Sequence, residues 1–106
     1  MAKKDSLFTR GVSIQEKSRE ELKEPEMYRV ILHNDDYTTQ EFVVSVIMAV
    51  FHKTASEATR IMLDVHRSGK GTAGVYVYDI AETKAHQVKE LAAAQEFPLK
   101  CTVEKA

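Results

Sequence analysis

The chain has 106 residues, with 15 Lys and Arg against 16 Asp and Glu, and is 43% hydrophobic. That is one domain with one core. A net charge of −1 excludes the basic surplus with which nucleic-acid binders and polybasic membrane-surface proteins hold their partners. The only cysteine, Cys101, excludes an internal disulfide and a cysteine-based zinc site, and suits a reducing compartment.

Residues 1–26 differ from the rest. They hold six basic residues (Lys3, Lys4, Arg10, Lys17, Arg19, Lys23) and six acidic ones (Asp5, Glu16, Glu20, Glu21, Glu24, Glu26). Too few apolar residues stand among them to offset the entropy of ordering the segment. The stretch QEKSREELKE has helical propensity but no apolar stripe, and Pro25 disfavours helix at Glu24. A mobile extension is expected over 1–26, with a reach of about 85 Å if fully extended. Residues 1–20 hold no apolar core of a secretory signal, and the longest apolar run, Phe42 to Phe51, falls short of the roughly 20 residues that cross a bilayer. A soluble cytoplasmic protein is expected.

From Met27 the pattern tightens into a domain over 27–106. MYRVILH is rich in β-branched and aromatic residues and predicts a strand. Thr38-Thr39-Gln40-Glu41 fits a capping box, with Thr38 as N-cap and Glu41 reaching back. The run from Phe42 to Phe51 makes the helix that follows mostly buried. Thr54-Ala55-Ser56-Glu57 repeats the capping pattern and opens a second helix, on which Ala58, Ile61, Met62 and Val65 share a face. Ser68-Gly69 and Gly71 stop it. TAGVYVYDI predicts a second strand, with Val75 and Val77 on one side and Tyr76 and Tyr78 on the other. A third helix is expected from about Ala81 to Glu96, with Ala85, Val88 and Ala92 facing inward. Phe97-Pro98 ends it, and LKCTVEK is a short last strand. There is no internal repeat. The order is β-α-α-β-α-β, an α+β layer of three strands and three helices. Spacing alone leaves open which strands run parallel.

The loop Asn34-Asp35-Asp36 admits two readings. Asn and Asp are favoured in strand-to-helix turns because they bond their own backbone, and acids complement a helix N-terminus. Two carboxylates and an amide carbonyl can equally accept from an ammonium group. His66 stands four residues after Met62, over the same helical face, as an ordinary exposed histidine or as a neutral acceptor beside an apolar pocket. Val43, Met62 and Val65 read alone are core, although Met also recurs at adaptable binding surfaces. His33, His52, His66 and His86 lack metal-ligand spacing. No GxSxG or phosphate loop occurs, and Cys101 lies in a predicted strand without an evident base, so neither metal, cofactor nor catalysis is expected. The lysine of Ser68-Gly69-Lys70-Gly71 leads out of a helix, the wrong sense for a phosphate nest.

Four blocks in order, MYRVILHNDDYTTQEFV, ATRIMLDVHRSGKG, VYDIAETK and FPLKCTVEKA, resemble the ClpS family, adaptors of bacterial ATP-dependent proteolysis. The resemblance covers about residues 27–106 behind a variable tail. It implies a small α/β sandwich with a three-stranded antiparallel sheet. It also implies recognition of proteins that begin with Leu, Phe, Tyr or Trp, and their delivery to the ClpA unfoldase for degradation by ClpP. By the resemblance, Asn34, Asp35 and His66 bind the substrate's α-ammonium. Asp36, Thr38, Gln40, Val43, Met62, Val65 and Leu99 line its side-chain pocket. Asp79 and Lys84 contact the N-terminal domain of ClpA, although read alone they are a helix start and a solvated lysine. The tail is engaged during delivery. An accepting His66 must be neutral, so binding is expected to weaken below about pH 6.5.

The chain departs from the family where Thr39 and Gln40 replace the usual Pro-Met. That methionine gates the pocket against β-branched side chains. Gln40 is expected to bond a neighbour at the mouth or turn outward, because burying its amide unpaired costs roughly 1–3 kcal/mol. Phe97 stands where histidine is common, and little beyond packing is expected of it. The alternative from another class is a small scaffold or docking module of the ribosomal-stalk type.

Overall fold

The computed structural model describes residues 24–106. The expected tail, 1–26, lies outside the described residues apart from its last three. Strand β1 spans Met27–His33, helix α1 Gln40–Phe51, helix α2 Ala55–Ser68, strand β2 Lys70–Val77, helix α3 Tyr78–Ala94 and strand β3 Lys100–Lys105. The sheet order is β2-β1-β3, with both neighbours antiparallel to the central β1. The order read from the sequence and the antiparallel sheet implied by the resemblance both hold.

Central β1 turns one face to the core, while the other carries exposed Arg29 beside Ile31. Val30 and Leu32 are fully buried against the helices, and Ile31 is buried on the opposite side. Helix α1 inserts Val43, Val46, Ile47, Val50 and Phe51 into the core. Helix α2 adds Ala58, Met62 and Val65, the stripe expected from its spacing, while Ile61 is half-buried at its margin. Helix α3 buries Ala81, Ala85, Val88 and Ala92, small side chains that let it pack close. No helix among the described residues is long and apolar enough to cross a membrane.

Two boundaries differ from the sequence reading. Helix α3 begins at Tyr78 rather than Ala81, so Tyr78, Asp79 and Ile80 leave the strand assigned to them. The ladder explains this. Met27 is the first residue of β1 and pairs with Val77, so Tyr78 has no strand partner. Asp79 in the first helical turn then complements the dipole. At the far end α3 stops at Ala94. Glu96 takes a left-handed φ of 59°, and the Phe97 N–H returns to the Ala92 carbonyl at 2.9 Å. Phe97 packs against Phe42 of α1, ring centroids 4.9 Å apart.

At the start of the sheet, Glu26 meets Lys105 at 3.0 Å. Both side chains are well exposed, so this ion pair adds little to stability.

Candidate functional site

Beyond the last pair of the β1–β2 ladder, His33 with Lys70, the chain makes one more link. The Asn34 N–H donates to the Gly69 carbonyl at 2.8 Å. Gly69 is the C-cap of α2 and the single residue between α2 and β2, and its φ is +89°. Its own N–H donates to the Val65 carbonyl at 2.9 Å. The end of α2, with His66 in its last turn, is thereby fastened to the start of the Asn34–Thr39 loop.

Asp35 organises that loop. Its Oδ1 accepts from the N–H groups of Tyr37 at 2.8 Å and Thr38 at 2.7 Å. Its Oδ2 accepts from the Thr38 hydroxyl at 2.7 Å. Partial burial acts to raise the Asp35 carboxyl above its ordinary value. The Thr38 hydroxyl and the backbone N–H groups of Thr38 and Tyr37 together outweigh it and hold the group lowered. Asp35 is thus an anion whose oxygens have spare lone pairs beyond those three bonds.

This arrangement corrects the expected capping box at α1. The N-cap is Thr39, not Thr38, and its hydroxyl accepts from the Phe42 N–H at 3.1 Å. Thr38 instead turns its hydroxyl and its N–H to Asp35, donating both. The Ser45 hydroxyl adds a bond to the Phe42 carbonyl at 2.8 Å one turn on.

A cavity of about 230 Å³ opens between the loop, α1 and α2. Asn34, Asp35, Asp36, Thr38, Gln40, Val43, Met62, Val65 and His66 line it. Its floor is Val43, Met62 and Val65, at 7%, 9% and 2% exposure. Its mouth is polar: Asn34, Asp36, Gln40 and His66 are exposed, and Asp35 and Thr38 half-buried. Gly71 lets β2 run close behind this floor, since a Cβ there would lie 2.9 Å from Val65 Cγ2. Acceptors thus ring the entrance and apolar side chains close the bottom. That combination suits a cation carried on an apolar group.

The remaining expected site residues are not among those that line the cavity. Leu99 is buried in the core just ahead of β3 and is not among the lining residues. The pairing of Lys100 with His33 places it at the end of β1 from which the cavity loop leaves. Asp79 and Lys84 sit on α3, away from the cavity. Asp79 is exposed between exposed Tyr78 and Ile80. Lys84 is not simply solvated. Its Nζ donates to the Val50 carbonyl near the end of α1 at 2.7 Å and stands 5.7 Å from the Tyr76 ring centroid. Among the described residues, no three His, Cys, Asp or Glu side chains gather where a metal could be held. Burial pushes the Cys101 thiol up to about 11, away from nucleophile chemistry.

Two residues of the site escaped the sequence reading. Gly69 was legible only as a helix stop, and its bond to Asn34 spans the fold. Thr39 as N-cap was hidden because Thr38 and Thr39 are both competent caps.

Comparison with known proteins converges on one family. The family model described as ATP-dependent Clp protease adaptor protein ClpS matches residues 23–102. An ATP-dependent Clp protease adapter protein ClpS from Syntrophus aciditrophicus is 61% identical over 82 residues, 77% of each chain. The protein of the same name from Acetivibrio thermocellus is 56% identical over 91 residues, 86% of this chain and 92% of that one. Among solved structures, Agrobacterium tumefaciens ClpS2 bound to L-phenylalaninamide superposes with a TM-score of 0.76 at 42% identity. It covers 78% of this chain and 100% of the other.

Proposed function

The chain belongs to the ClpS family of ATP-dependent Clp protease adaptors, and we propose that its cavity receives the first residue of a protein substrate. The carrying observation is the cavity's division into an accepting mouth and an apolar floor. An α-ammonium has three donors, and Asn34, Asp35 and His66 supply three acceptor groups. Val43, Met62 and Val65 take the side chain. Burying a large apolar side chain there contributes roughly 1.5–3 kcal/mol, and a bound cation left unpaired costs several. Both features are therefore needed, and internal residues, which lack the ammonium, are rejected. The ligand of the Agrobacterium protein, L-phenylalaninamide, has a free amine and a large apolar side chain on one carbon. This supports N-terminal Phe as a substrate, with Leu, Tyr and Trp as the same chemical class.

The adaptor is not an enzyme in this reading. It carries the captured protein to the ClpA unfoldase for degradation by ClpP. Asp79, an exposed charge between exposed Tyr78 and Ile80, is the better candidate for the contact with the ClpA N-terminal domain. Lys84 adds to that surface at the expense of its bond to Val50. The domain over 27–106 does the recognising, and the segment over 1–26 is the part engaged during delivery. A cytoplasmic setting suits a chain with one buried thiol.

The test uses a labelled peptide beginning with Phe and the same peptide N-acetylated. The free amine is bound and the acetylated form is lost by at least about tenfold, the worth of a charge-assisted bond. Equal binding of the two, or of neither, refutes the reading and favours a scaffold.

A further inference from the structure

We infer that Gly69 is a positioning residue: it holds the Asn34 and His66 sides of the ammonium site in register. This rests on the reading of the cavity given above. The two sides come from distant parts of the chain. Asn34 and Asp35 follow β1, whereas His66 ends α2. One backbone hydrogen bond joins them directly, from the Asn34 N–H to the Gly69 carbonyl at 2.8 Å. Gly69 aims that carbonyl by standing at φ +89°, ψ −23°, the left-handed region that L side chains avoid. It is also the only residue between α2 and β2, so its dihedrals set how the helix meets the sheet. Val65, whose carbonyl accepts the Gly69 N–H, is part of the cavity floor, so the same residue anchors the apolar side as well.

Sterics and conformation separate cleanly at this position. A Cβ built on Gly69 meets nothing within 4 Å. The methyl of an alanine there would clash with nothing, so the effect of Gly69→Ala is to make the left-handed conformation costly. Relief comes when the residue leaves that region, which swings its carbonyl away from Asn34. The protein then divides between a latched form, which binds, and an unlatched form, which does not. Apparent affinity falls in proportion to the latched fraction.

The substitutions form a graded series by left-handed preference. Asn tolerates the region, Ala resists it, and a β-branched Val resists it most. Affinity for the free-amine Phe peptide should stay within about twofold in Gly69→Asn. It should fall by up to about fivefold in Gly69→Ala and up to about thirtyfold in Gly69→Val, the fold-changes that a left-handed penalty of about 1–2 kcal/mol corresponds to. Each variant is measured at a temperature where circular dichroism shows it folded, so lost stability alone cannot move the value. Hydrogen exchange of the Asn34 amide reports the latch directly, and its protection should decline in the same order. If Gly69→Val does not fold, Gly69→Ala against Gly69→Asn gives the same contrast. A wild type that binds the acetylated peptide equally well removes both the cavity reading and this inference. A wild type that prefers the free amine, with all variants binding alike or Asn34 protection unchanged, removes the inference alone.

Discussion

Two helices of this protein open on nearly the same four residues and use them differently. Thr54-Ala55-Ser56-Glu57 makes the full reciprocal box at α2. Thr54 Oγ1 accepts from the Glu57 N–H at 3.1 Å, and Glu57 accepts from the Thr54 N–H at 3.0 Å. Thr38-Thr39-Gln40-Glu41 at α1 does not. Asp35 reaches forward and takes Thr38 out of the cap, Thr39 replaces it, and the helix starts one residue later. Both turns lower a carboxyl by hydrogen bonding, Glu57 through the Thr54 N–H and hydroxyl, Asp35 through the Thr38 hydroxyl and two backbone N–H groups. The α2 carboxylate bonds only its own turn, out on an exposed surface. The Asp35 carboxylate does the same and also lines a cavity with an apolar floor. The place where a local start signal is overridden is where the site lies.

The comparison breaks or sharpens under substitution. Asp35→Ala should weaken binding of a Phe-initiated peptide about 10- to 100-fold, the worth of a charged acceptor. Thr54→Ala, its counterpart at α2, should cost on the order of 1 kcal/mol in urea unfolding and leave binding unchanged. A Thr54→Ala variant that binds poorly would erase the distinction between the two turns. Thr38→Val keeps the shape and removes the hydroxyl that fixes Asp35. Peptide titration should then show about a threefold to tenfold loss. Gln40 opens α1 and stands exposed on the cavity rim. Gln40→Met should change the ratio of Ile to Leu binding by about threefold, since a hydrated amide gives way to an apolar gate. An unchanged ratio would mean that Gln40 does not shape the mouth. The smallest effect is on stability against pH. The folded Asp35 carboxyl lies below its unfolded value of 3.8. Its bonds therefore stabilise the fold above that value, and the contribution is lost as pH falls through the lower folded one. The gap in urea midpoint between wild type and Asp35→Ala should be constant from about pH 7 to 5 and should narrow as pH falls below 3.8.

Much of the fold was legible because its signals are local. The stripe Ala58, Met62, Val65, the inward Ala85, Val88 and Ala92, and the Thr54 cap each depend on neighbours within two turns. The strand–helix switch at Tyr78 was not, because it depends on where the partner strand β1 begins, about fifty residues earlier. The candidate site divides in the same way. The chemistry of Asn34, Asp35 and His66 is written in their residue types, and nine of the expected residues do surround one cavity. The family resemblance, not periodicity, singled out Thr38 and Gln40. Lys84 and Gly69 show what residue type cannot convey. A surface lysine found the Val50 carbonyl, and a helix-stopping glycine became the acceptor for Asn34.

The central claim is that Asp35 acts on a substrate ammonium and does more than cap its own loop. It is tested most directly with two ligands differing only in that group, phenylalaninamide and 3-phenylpropanamide, titrated by NMR into wild type and Asp35→Ala. The substitution should weaken phenylalaninamide about 10- to 100-fold and leave 3-phenylpropanamide within about twofold. An equal loss for both ligands would show that Asp35 only shapes the turn, and would contradict the account.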